Sequence, residues 1–366
     1  MKFSALTFAL AAASSATTAS AFGVTHPANS FKSVAIQMSA DGSLDHGSTP
    51  PMVILDDADE AEAKIPAYTR KESTGFSKES KLPLGIRLTG GEKLRDDGLT
   101  GKGVKVAVID SGVAAGHPGF GDQVVKQIWL RRGGSLMKDD HGTHVAGTIH
   151  MMAPEAEIYD YRVFGNRGMG VNEAINTAIY DAIEEGCDII NMSLGGPVPD
   201  WDSYKAVRAA YKAGLIMVVA AGNEGDGDVL TNENSWPANY RQCINVAAVA
   251  KRNKLPLARF SNTNDQVDYC GIGVDVKSFR PDGKFQKMDG TSMATPHVCG
   301  FLTALLTKGG KYEDKITDDN SCRKLINKKF CIDVGAEGSD NATGLGFLTY
   351  LTKEEFEEDF LNLPDY

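Results

Sequence analysis

The sequence lacks the features of a membrane-spanning or nucleic-acid-binding chain. Beyond the first 21 residues, no apolar run reaches the roughly 18 residues that a membrane-spanning helix requires. Positive charge is also scarce, since 38 Lys and Arg stand against 48 Asp and Glu, which gives a net charge of −10. Such a chain has little attraction for nucleic acid or for anionic membrane surfaces. We therefore expect a soluble protein with no nucleic-acid partner.

Three signatures of other enzyme classes are absent as well. No Cys-x-x-Cys or His-x-x-x-His spacing indicates a zinc site. The apolar run at 104–109 is not followed by Gly-x-Gly-x-x-Gly, which argues against dinucleotide binding. Ser292 has Ala294 two residues on, where an α/β-hydrolase would need Gly. The sequence therefore requires no cofactor, although a weak calcium site made of loop carboxylates cannot be read from spacing.

The beginning of the chain has the composition of targeting segments. Residues 1–21 carry Lys2, an apolar stretch and Ala19-Ser20-Ala21, the pattern of a cleavable secretory signal peptide. Residues 22–40 contain no Asp or Glu and many hydroxyl side chains, as transit peptides do. Together they resemble the two-part leader of proteins of complex plastids. Entry into the secretory pathway is expected, and secretion and plastid import both stay open as destinations.

Two further segments flank one large expected domain at 85–352. Residues 41–84 include the acidic run 56–60 and show little periodicity, which indicates a linker or a short pro-region. Residues 353–366 form an acidic tail whose first part, Lys-Glu-Glu-Phe-Glu-Glu, is compatible with a helix that exposes its charges.

From residue 99 onward, apolar strands alternate with amphipathic helices. Strand patterns occur at 102–110, 157–163, 188–192 and 215–220, and helical spacing at about 174–183 and 200–213. This alternation predicts the α/β class, with a mostly parallel central sheet and helices on both faces. Catalytic groups in such sheets gather at the carboxyl ends of the strands. That rule selects Asp110, the segment 193–196 and the segment 221–225.

Three segments carry the residue types of a nucleophilic hydrolase. Asp110 lies in Val-Ile-Asp-Ser-Gly, His141 opens His-Gly-Thr-His-Val-Ala-Gly-Thr, and Ser292 lies in Gly-Thr-Ser-Met-Ala-Thr-Pro-His. A serine hydroxyl is a weak nucleophile, so it needs a neighbouring base, and the base needs a carboxylate to hold its tautomer. In this order the segments resemble the signature sequences of subtilisin-like serine proteases, and the likeness runs from about residue 84 to 351. The resemblance implies the three-layer subtilisin-like fold and serine endopeptidase activity on polypeptides.

The resemblance also assigns roles to individual residues. It implies that Asp110 orients the base, that His141 is the general base and acid, and that Ser292 forms an acyl-enzyme. Asn223 would donate its side-chain amide to the oxyanion, together with the backbone N–H of Ser292. The other nearby histidines are expected to be structural: His144, His150 and His297.

Substrate binding is expected along one edge of the cleft. By the resemblance, Ser193, Leu194 and Gly195 line the first specificity pocket, and Ser235 stands across it where many relatives have Gly. Carboxylates near that rim suggest a preference for basic side chains, although they could equally face water: Glu224, Asp226, Asp228 and Glu233. The substrate backbone would add as a strand beside the cleft.

The sequence departs from the family pattern in two places. Residues 148–152 run directly into Ala153-Pro154-Glu155, where relatives insert a calcium-binding loop, so that calcium site is expected to be missing. Only about 40 residues separate the leader from the catalytic domain, fewer than a usual pro-domain has. A zymogen with a shortened pro-segment and an enzyme that folds without one both stay open.

Six cysteines make an even number in a chain that enters the secretory route, so disulfides are allowed. Cys322 and Cys331 are close in sequence, and Cys243 and Cys270 flank what look like neighbouring strands. These are the two candidate pairs, whereas the other cysteines are expected to be small buried apolar residues: Cys187 and Cys299.

One alternative function belongs to another class. A subtilase fold that has lost activity could serve as a peptide-binding module. Such proteins usually lose a triad member or the oxyanion amide, whereas Asp110, His141, Ser292 and Asn223 are all present. We therefore expect an active, monomeric enzyme.

Overall fold

The computed structural model describes residues 82–136 and 138–361. The predicted signal peptide 1–21, the transit-like segment 22–40, residues 41–81 of the predicted pro-region and the last five residues of the acidic tail lie outside this part. No helix in the part described has both the length and the apolar content needed to cross a membrane.

The described residues alternate between strands and helices, as the sequence predicts. The strands are β1 (Lys105–Asp110), β2 (Val124–Trp129), β3 (Arg131–Arg132), β4 (Glu157–Arg162), β5 (Arg167–Gly168), β6 (Ile189–Met192), β7 (Ile216–Ala220), β8 (Cys243–Val249), β9 (Tyr269–Ile272), β10 (Val276–Phe279), β11 (Phe285–Met288), β12 (Cys331–Ile332) and β13 (Phe347–Leu348). The helices are α1 (Leu84–Leu88), α2 (Gly91–Asp96), α3 (His141–Met152), α4 (Val171–Glu184), α5 (Trp201–Lys212), α6 (Thr291–Leu305), α7 (Asp319–Lys329) and α8 (Lys353–Leu361).

A nine-stranded sheet lies at the centre, in the order β12-β13-β9-β8-β7-β6-β1-β4-β2. Its neighbouring strands are parallel except for the antiparallel pair β12 and β13. Because parallel strands are covered on both faces, they are apolar along their whole length. In β7 all residues are buried.

Two apolar cores cover the two faces of the sheet. Side chains alternate along β1, so Val106 and Val108 join one core with residues of α3 and α6, while Ala107 and Ile109 join the other with residues of α4 and α5. Helices on both faces of a mostly parallel sheet make a three-layer α/β fold, which confirms the predicted class.

The predicted helix at 200–213 is α5, and its ends show why it forms there. The Asp200 carboxylate accepts a hydrogen bond from the N–H of Ser203 (2.8 Å), which satisfies one of the free amides of the first turn. Gly214 follows the last turn with φ +88°, a conformation that glycine adopts without strain.

The two predicted disulfide pairs are wrong for this structure, in which all six cysteines are free thiols. Cys270 on β9 lies opposite Ala247 on β8, four residues beyond Cys243. At about 3.3 Å per residue this offset is roughly 13 Å, far beyond the Cα separation that a disulfide spans. Cys322 is buried on α7, whereas the Cys331 thiol contacts the Leu345 carbonyl at 3.1 Å. Cys187 and Cys299 are buried, as expected.

The acidic tail folds onto the domain as α8. Phe356 is buried, and its ring lies 5.6 Å from that of Phe347 on β13. Glu355 pairs with Lys93 of α2 at 2.5 Å. The flanking acidic side chains are exposed, as predicted. The tail helix therefore presents its charges to solvent and packs on the domain through the Phe356 ring.

Candidate active site

The three segments singled out by the sequence lie at the carboxyl ends of parallel strands or at helix starts beside them. Asp110 is the last residue of β1, His141 is the first residue of α3, and Ser292 is the second residue of α6. Helices α3 and α6 both pack on the core that contains Val108 of β1. The carboxylate and the imidazole are in direct contact, while the serine contacts the segment after β6.

Asp110 and His141 form a hydrogen-bonded pair. The Nδ1–H of His141 donates to Asp110 Oδ1 at 2.8 Å, and the N–H of Ser111 donates to the same oxygen at 2.6 Å. The Asp110 side chain is fully buried, whereas 36% of the His141 side chain is exposed. Nδ1 therefore carries the hydrogen, which leaves the exposed Nε2 able to accept a proton.

Burial and charge act in opposite directions on the imidazole. Burial favours the neutral ring, but the negative charge of Asp110 and its hydrogen bond favour the imidazolium, and the net result raises the pKa of His141. Gly142 allows this close arrangement, since a Cβ there would lie 2.6 Å from the Gly112 carbonyl oxygen.

The position of Ser292 is fixed by hydrogen bonds with Ser193, in the segment that follows β6. Pro296 in α6 has no N–H, so the Ser292 carbonyl lacks its helical donor, and the Ser193 hydroxyl donates to it instead at 2.9 Å. The Ser292 hydroxyl in turn donates to the Ser193 carbonyl at 3.2 Å. Asn191 donates to the Ser193 hydroxyl at 3.1 Å. Ser193, expected as a substrate-pocket residue, therefore also fixes the start of α6.

The side chain of Asn223 is oriented by Thr291. Asn223 Oδ1 accepts hydrogen bonds from the N–H of Thr291 at 2.9 Å and from its hydroxyl at 3.0 Å. The amide nitrogen Nδ2 is consequently turned the other way, beside Gly290, and Asn223 is exposed. The N–H of Ser292 is in the first turn of α6, where amides have no helical acceptor. Nδ2 of Asn223 and the N–H of Ser292 thus both lie beside Gly290, at the start of α6.

Part of the predicted substrate edge borders a cavity. Leu194, Gly195 and Gly196 border a cavity of about 250 Å³ whose far wall includes Phe164 and Ile175. Ser235 lies against Gly195, where a Cβ would collide with its hydroxyl oxygen. The neighbouring Trp236 exchanges two backbone hydrogen bonds with Gly196, at 3.0 and 2.8 Å.

Two of the carboxylates near this rim, Glu224 and Glu233, accept hydrogen bonds from their own loop and from residues 262–263. Glu224 accepts from Asn262 Nδ2 at 2.8 Å and from the N–H of Asn223 at 3.0 Å. Although burial opposes it, hydrogen bonds from Thr231 and Thr263 lower the pKa of Glu233. These contacts give both residues a structural role, and the suggested preference for basic side chains stays a prediction.

The three histidines expected to be structural take no part in the hydrogen bond between Asp110 and His141. Burial lowers the pKa to about 4 in each of three rings: His144, His150 and His297. The Nε2 of His144 contacts the Val276 carbonyl at 2.9 Å, and Nδ1 of His297 contacts the Met293 carbonyl at 2.9 Å. Neutral, hydrogen-bonded rings of this kind are structural, as expected.

Metal binding has no obvious centre in this part of the chain. Within 82–136 and 138–361, no three His, Cys, Asp or Glu side chains form a group suited to a metal ion. Only residues 153–156 join α3 to β4, where the sequence predicted that a calcium loop is missing.

Sequence reasoning did not find Thr291 or the second role of Ser193. Thr291 stands inside the Gly-Thr-Ser segment, so its position next to the nucleophile was a usable signal. For Ser193 the signal was Pro296, because a proline inside a helix leaves a carbonyl four residues earlier without its donor.

Known proteins resemble this chain over most of its length. Residues 101–346 match the model of the subtilase family. The major intracellular serine protease of Bacillus subtilis (strain 168) is 35% identical over 303 residues, which cover 76% of this chain and 91% of that protein. The intracellular serine protease of Paenibacillus polymyxa is 37% identical over 294 residues, covering 74% of this chain and 86% of that protein.

A solved structure has the same architecture. The crystal structure of a cold-adapted subtilisin-like serine proteinase superimposes with a TM-score of 0.57 and 26% sequence identity. The match covers 69% of this chain and 91% of the other.

Proposed function

The chain belongs to the subtilase family and is a serine-type endopeptidase, and from this premise we propose that Asp110, His141 and Ser292 are its catalytic triad. The observation that carries the proposal is the 2.8 Å hydrogen bond between His141 Nδ1 and the buried Asp110 carboxylate, at the same end of the sheet as Ser292. This bond leaves Nε2 of His141 as the base.

In the proposed reaction the Ser292 hydroxyl turns from the Ser193 carbonyl toward Nε2 of His141. Contacts of this kind are often incomplete before substrate binds. Nε2 takes the hydroxyl proton as Oγ attacks the scissile carbonyl carbon, and the Asp110 carboxylate stabilises the imidazolium. The same proton passes to the leaving amine as the peptide bond breaks. Water then hydrolyses the acyl-enzyme with His141 again as base, which restores the Ser292 hydroxyl.

Charge develops on the carbonyl oxygen during both steps. Nδ2 of Asn223 and the N–H of Ser292 are the donors that would receive it, and the positive end of the α6 dipole adds to them. Both donors are held in place before substrate arrives, by Thr291 and by the helix. A preorganised donor pair stabilises the oxyanion more than water does, because it needs no reorientation.

The proposal is tested by labelling two native chains, the full-length chain and one that begins at residue 82, with a fluorophosphonate, which reacts with activated serines. We expect one label, located on Ser292 by peptide mass spectrometry, together with hydrolysis of casein. The heat-denatured chain is the control and should not react. If both chains are folded and neither reacts or cleaves casein, the silent peptide-binding module is favoured.

The Asn223→Ala variant is expected to lose about 10²- to 10³-fold in kcat with little change in KM, a magnitude known from subtilisin for one oxyanion donor. The donor acts on the oxyanion and not on the ground-state carbonyl, so kcat carries the effect. Steady-state kinetics on a chromogenic tetrapeptide measures both constants. Thr291→Ser is the matched control, since it keeps the hydroxyl that orients Asn223, and wild-type KM and kcat are expected for it.

Activity should fall with decreasing pH, with a midpoint above 6.5, the usual pKa of histidine. His141 must be neutral to act as base, and its raised pKa keeps it protonated to higher pH than an ordinary imidazole. The acidic side of the kcat/KM profile, recorded from pH 5 to 9, reports this pKa in the free enzyme. A midpoint at or below 6.5 would contradict the assignment of Asp110 as its partner.

We further propose that the enzyme cleaves polypeptides as a monomer and needs no cofactor, with a weak calcium site left open. The leader pattern supports entry into the secretory pathway, followed by secretion or plastid import. The composition of residues 41–84 supports a short pro-region, and hence a zymogen. Comparing casein hydrolysis by the full chain and by a chain that begins at residue 82 tests the last point.

A further inference from the structure

A second buried carboxylate lies behind the Asp110–His141 pair and has no part in the chemistry above. Asp160 on β4 is fully buried. In the parallel pairing of β1 and β4, Val108 lies opposite Asp160 and Asp110 lies opposite Arg162. Paired residues of parallel strands point to the same face, so Asp160 and Asp110 share a face and are offset by two residues.

The hydrogen bonds of Asp160 all converge on one oxygen. Oδ2 accepts from Gln127 Nε2 at 2.8 Å, from the N–H of Val113 at 3.1 Å and from Trp129 Nε1 at 3.2 Å. Oδ1 is buried and has no hydrogen-bond partner in the described part of the chain, and the same is true of Oδ2 of Asp110. The three donors on Oδ2 favour the ionised carboxylate, whereas burial of the group and the unpartnered Oδ1 oppose it.

Asp160 reaches the active site through the turn that follows Asp110. It accepts the N–H of Val113, while Gln127, which also donates to Asp160, donates to the Val113 carbonyl at 2.8 Å. Both polar groups of the Val113 backbone are therefore fixed from the β2 and β4 side.

The same turn is fixed to α3 on its other side. The Ser111 hydroxyl donates to the Asp139 carbonyl at 2.8 Å and accepts the N–H of Gly142 at 3.0 Å. The N–H of Ala114 donates to the Thr143 hydroxyl at 3.0 Å. Since α3 begins with His141, these contacts set the position of the imidazole relative to Asp110.

The charges around Asp160 are unbalanced. From β1 it faces the Asp110 carboxylate, and beyond Asp110 lies the His141 ring of α3; β2 presents only the neutral donors named above. On its own strand Arg162 donates to two backbone carbonyls and to Asp139, so its charge is shared with other partners. Burial raises the pKa of Asp160 to about 6, although its hydrogen bonds act to lower it. The negative charge of Asp110 adds to the rise.

We propose that Asp160 is a positioning residue for the Asp110–His141 pair. Asp160 holds the turn after Asp110 and places a second titratable carboxylate behind the pair. The proposal rests on the proposed function, because it assigns a role relative to the triad. An ionised Asp160 stabilises the His141 imidazolium and so moves the acidic limb of activity to higher pH. Neutral Asp160 keeps the turn in place without that charge.

The first test is Asp160→Asn in the full-length enzyme. The amide oxygen can still accept from the three donors, so the plateau kcat/KM should stay within about threefold of wild type, while the acidic limb should move to lower pH by on the order of one unit. Asp319→Asn is the matched control, since Asp319 is a buried carboxylate on α7 with Oδ1 also unpartnered in the described residues. Its profile should coincide with wild type, and coincidence of the Asp160→Asn profile would overturn the proposal.

A second variant separates positioning from charge. Gln127 is exposed, so Gln127→Ala should fold, yet it removes the donor shared by Val113 and Asp160. We expect kcat to fall by about tenfold with KM unchanged, as for a displaced catalytic pair. Wild-type kcat for this variant would refute the positioning role.

A third measurement needs no turnover and so distinguishes failure of this proposal from failure of the proposed function. The His141 ring is titrated by NMR in the Ser292→Ala chain with and without Asp160→Asn. A lower His141 pKa in the double variant supports the proposal even if hydrolysis is never detected. Equal pKa values refute it even in a fully active enzyme.

Discussion

Replacing Ser292 by alanine is expected to reduce kcat by about 10⁶-fold, the magnitude known for loss of the nucleophile in subtilisin. The hydroxyl is the group that bonds to the substrate carbonyl, so the variant has no nucleophile beside the base. Binding should be almost unchanged, because the Ser292 hydroxyl makes one hydrogen bond, to the Ser193 carbonyl, and the substrate edge stays intact. Casein hydrolysis and kinetics on a tetrapeptide measure the loss.

Ser339→Ala is the matched control for that experiment. Ser339 is exposed in the loop between β12 and β13, so the same chemical change there should leave kcat at the wild-type value. Circular dichroism and the urea midpoint should be unchanged in both variants. If folded Ser292→Ala keeps more than about one thousandth of wild-type kcat, another group must be the nucleophile.

The layers of the fold could be predicted because burial on a parallel sheet leaves a strong local pattern. Continuous apolar runs mark β1 and β7, and apolar residues at helical spacing mark α4. The neighbours of each strand, and their register, are set by contacts far apart in sequence. The disulfide prediction failed for this reason, since Cys243 and Cys270 do lie on neighbouring strands but out of register.

The candidate site also combines features that a local sequence pattern predicts with contacts between residues far apart in sequence. Motifs single out Asp110, His141 and Ser292, and their chemical types already suggest the reaction. The groups that position these three residues come from other strands. The Ser193 hydroxyl replaces the missing helical donor to the Ser292 carbonyl, and Asp160 reaches the turn after Asp110 because β4 lies beside β1. Pro296 indicates that a carbonyl in α6 lacks its donor, but no local pattern indicates which residue replaces that donor or that Asp160 reaches the turn, since each contact joins residues at least 47 positions apart.

Asp110→Asn is expected to lower kcat by about 10⁴-fold at pH 8, a magnitude known from other serine proteases. The N–H of Ser111 and Nδ1 of His141 share Oδ1, so an asparagine oxygen in that place could accept both bonds and keep the ring in position. What disappears is the charge that stabilises the imidazolium in the transition state. In addition, the asparagine NH₂ would occupy the buried site of Oδ2, where the described residues offer no acceptor, or would flip and impose the wrong tautomer on His141.

Two measurements separate loss of charge from loss of geometry in this variant. Without the Asp110 charge the pKa of His141 should fall, so the acidic limb of kcat/KM should move to lower pH than in wild type. If the asparagine side chain flips, the wrong tautomer of His141 limits hydrolysis. Activity should then recover in strong base, where the tautomer of His141 no longer matters. Asp319→Asn, whose buried carboxylate lies on α7 and pairs with Arg323, should retain wild-type kcat. An Asp110→Asn enzyme with more than about one hundredth of wild-type kcat would show that His141 does not depend on this carboxylate for its orientation.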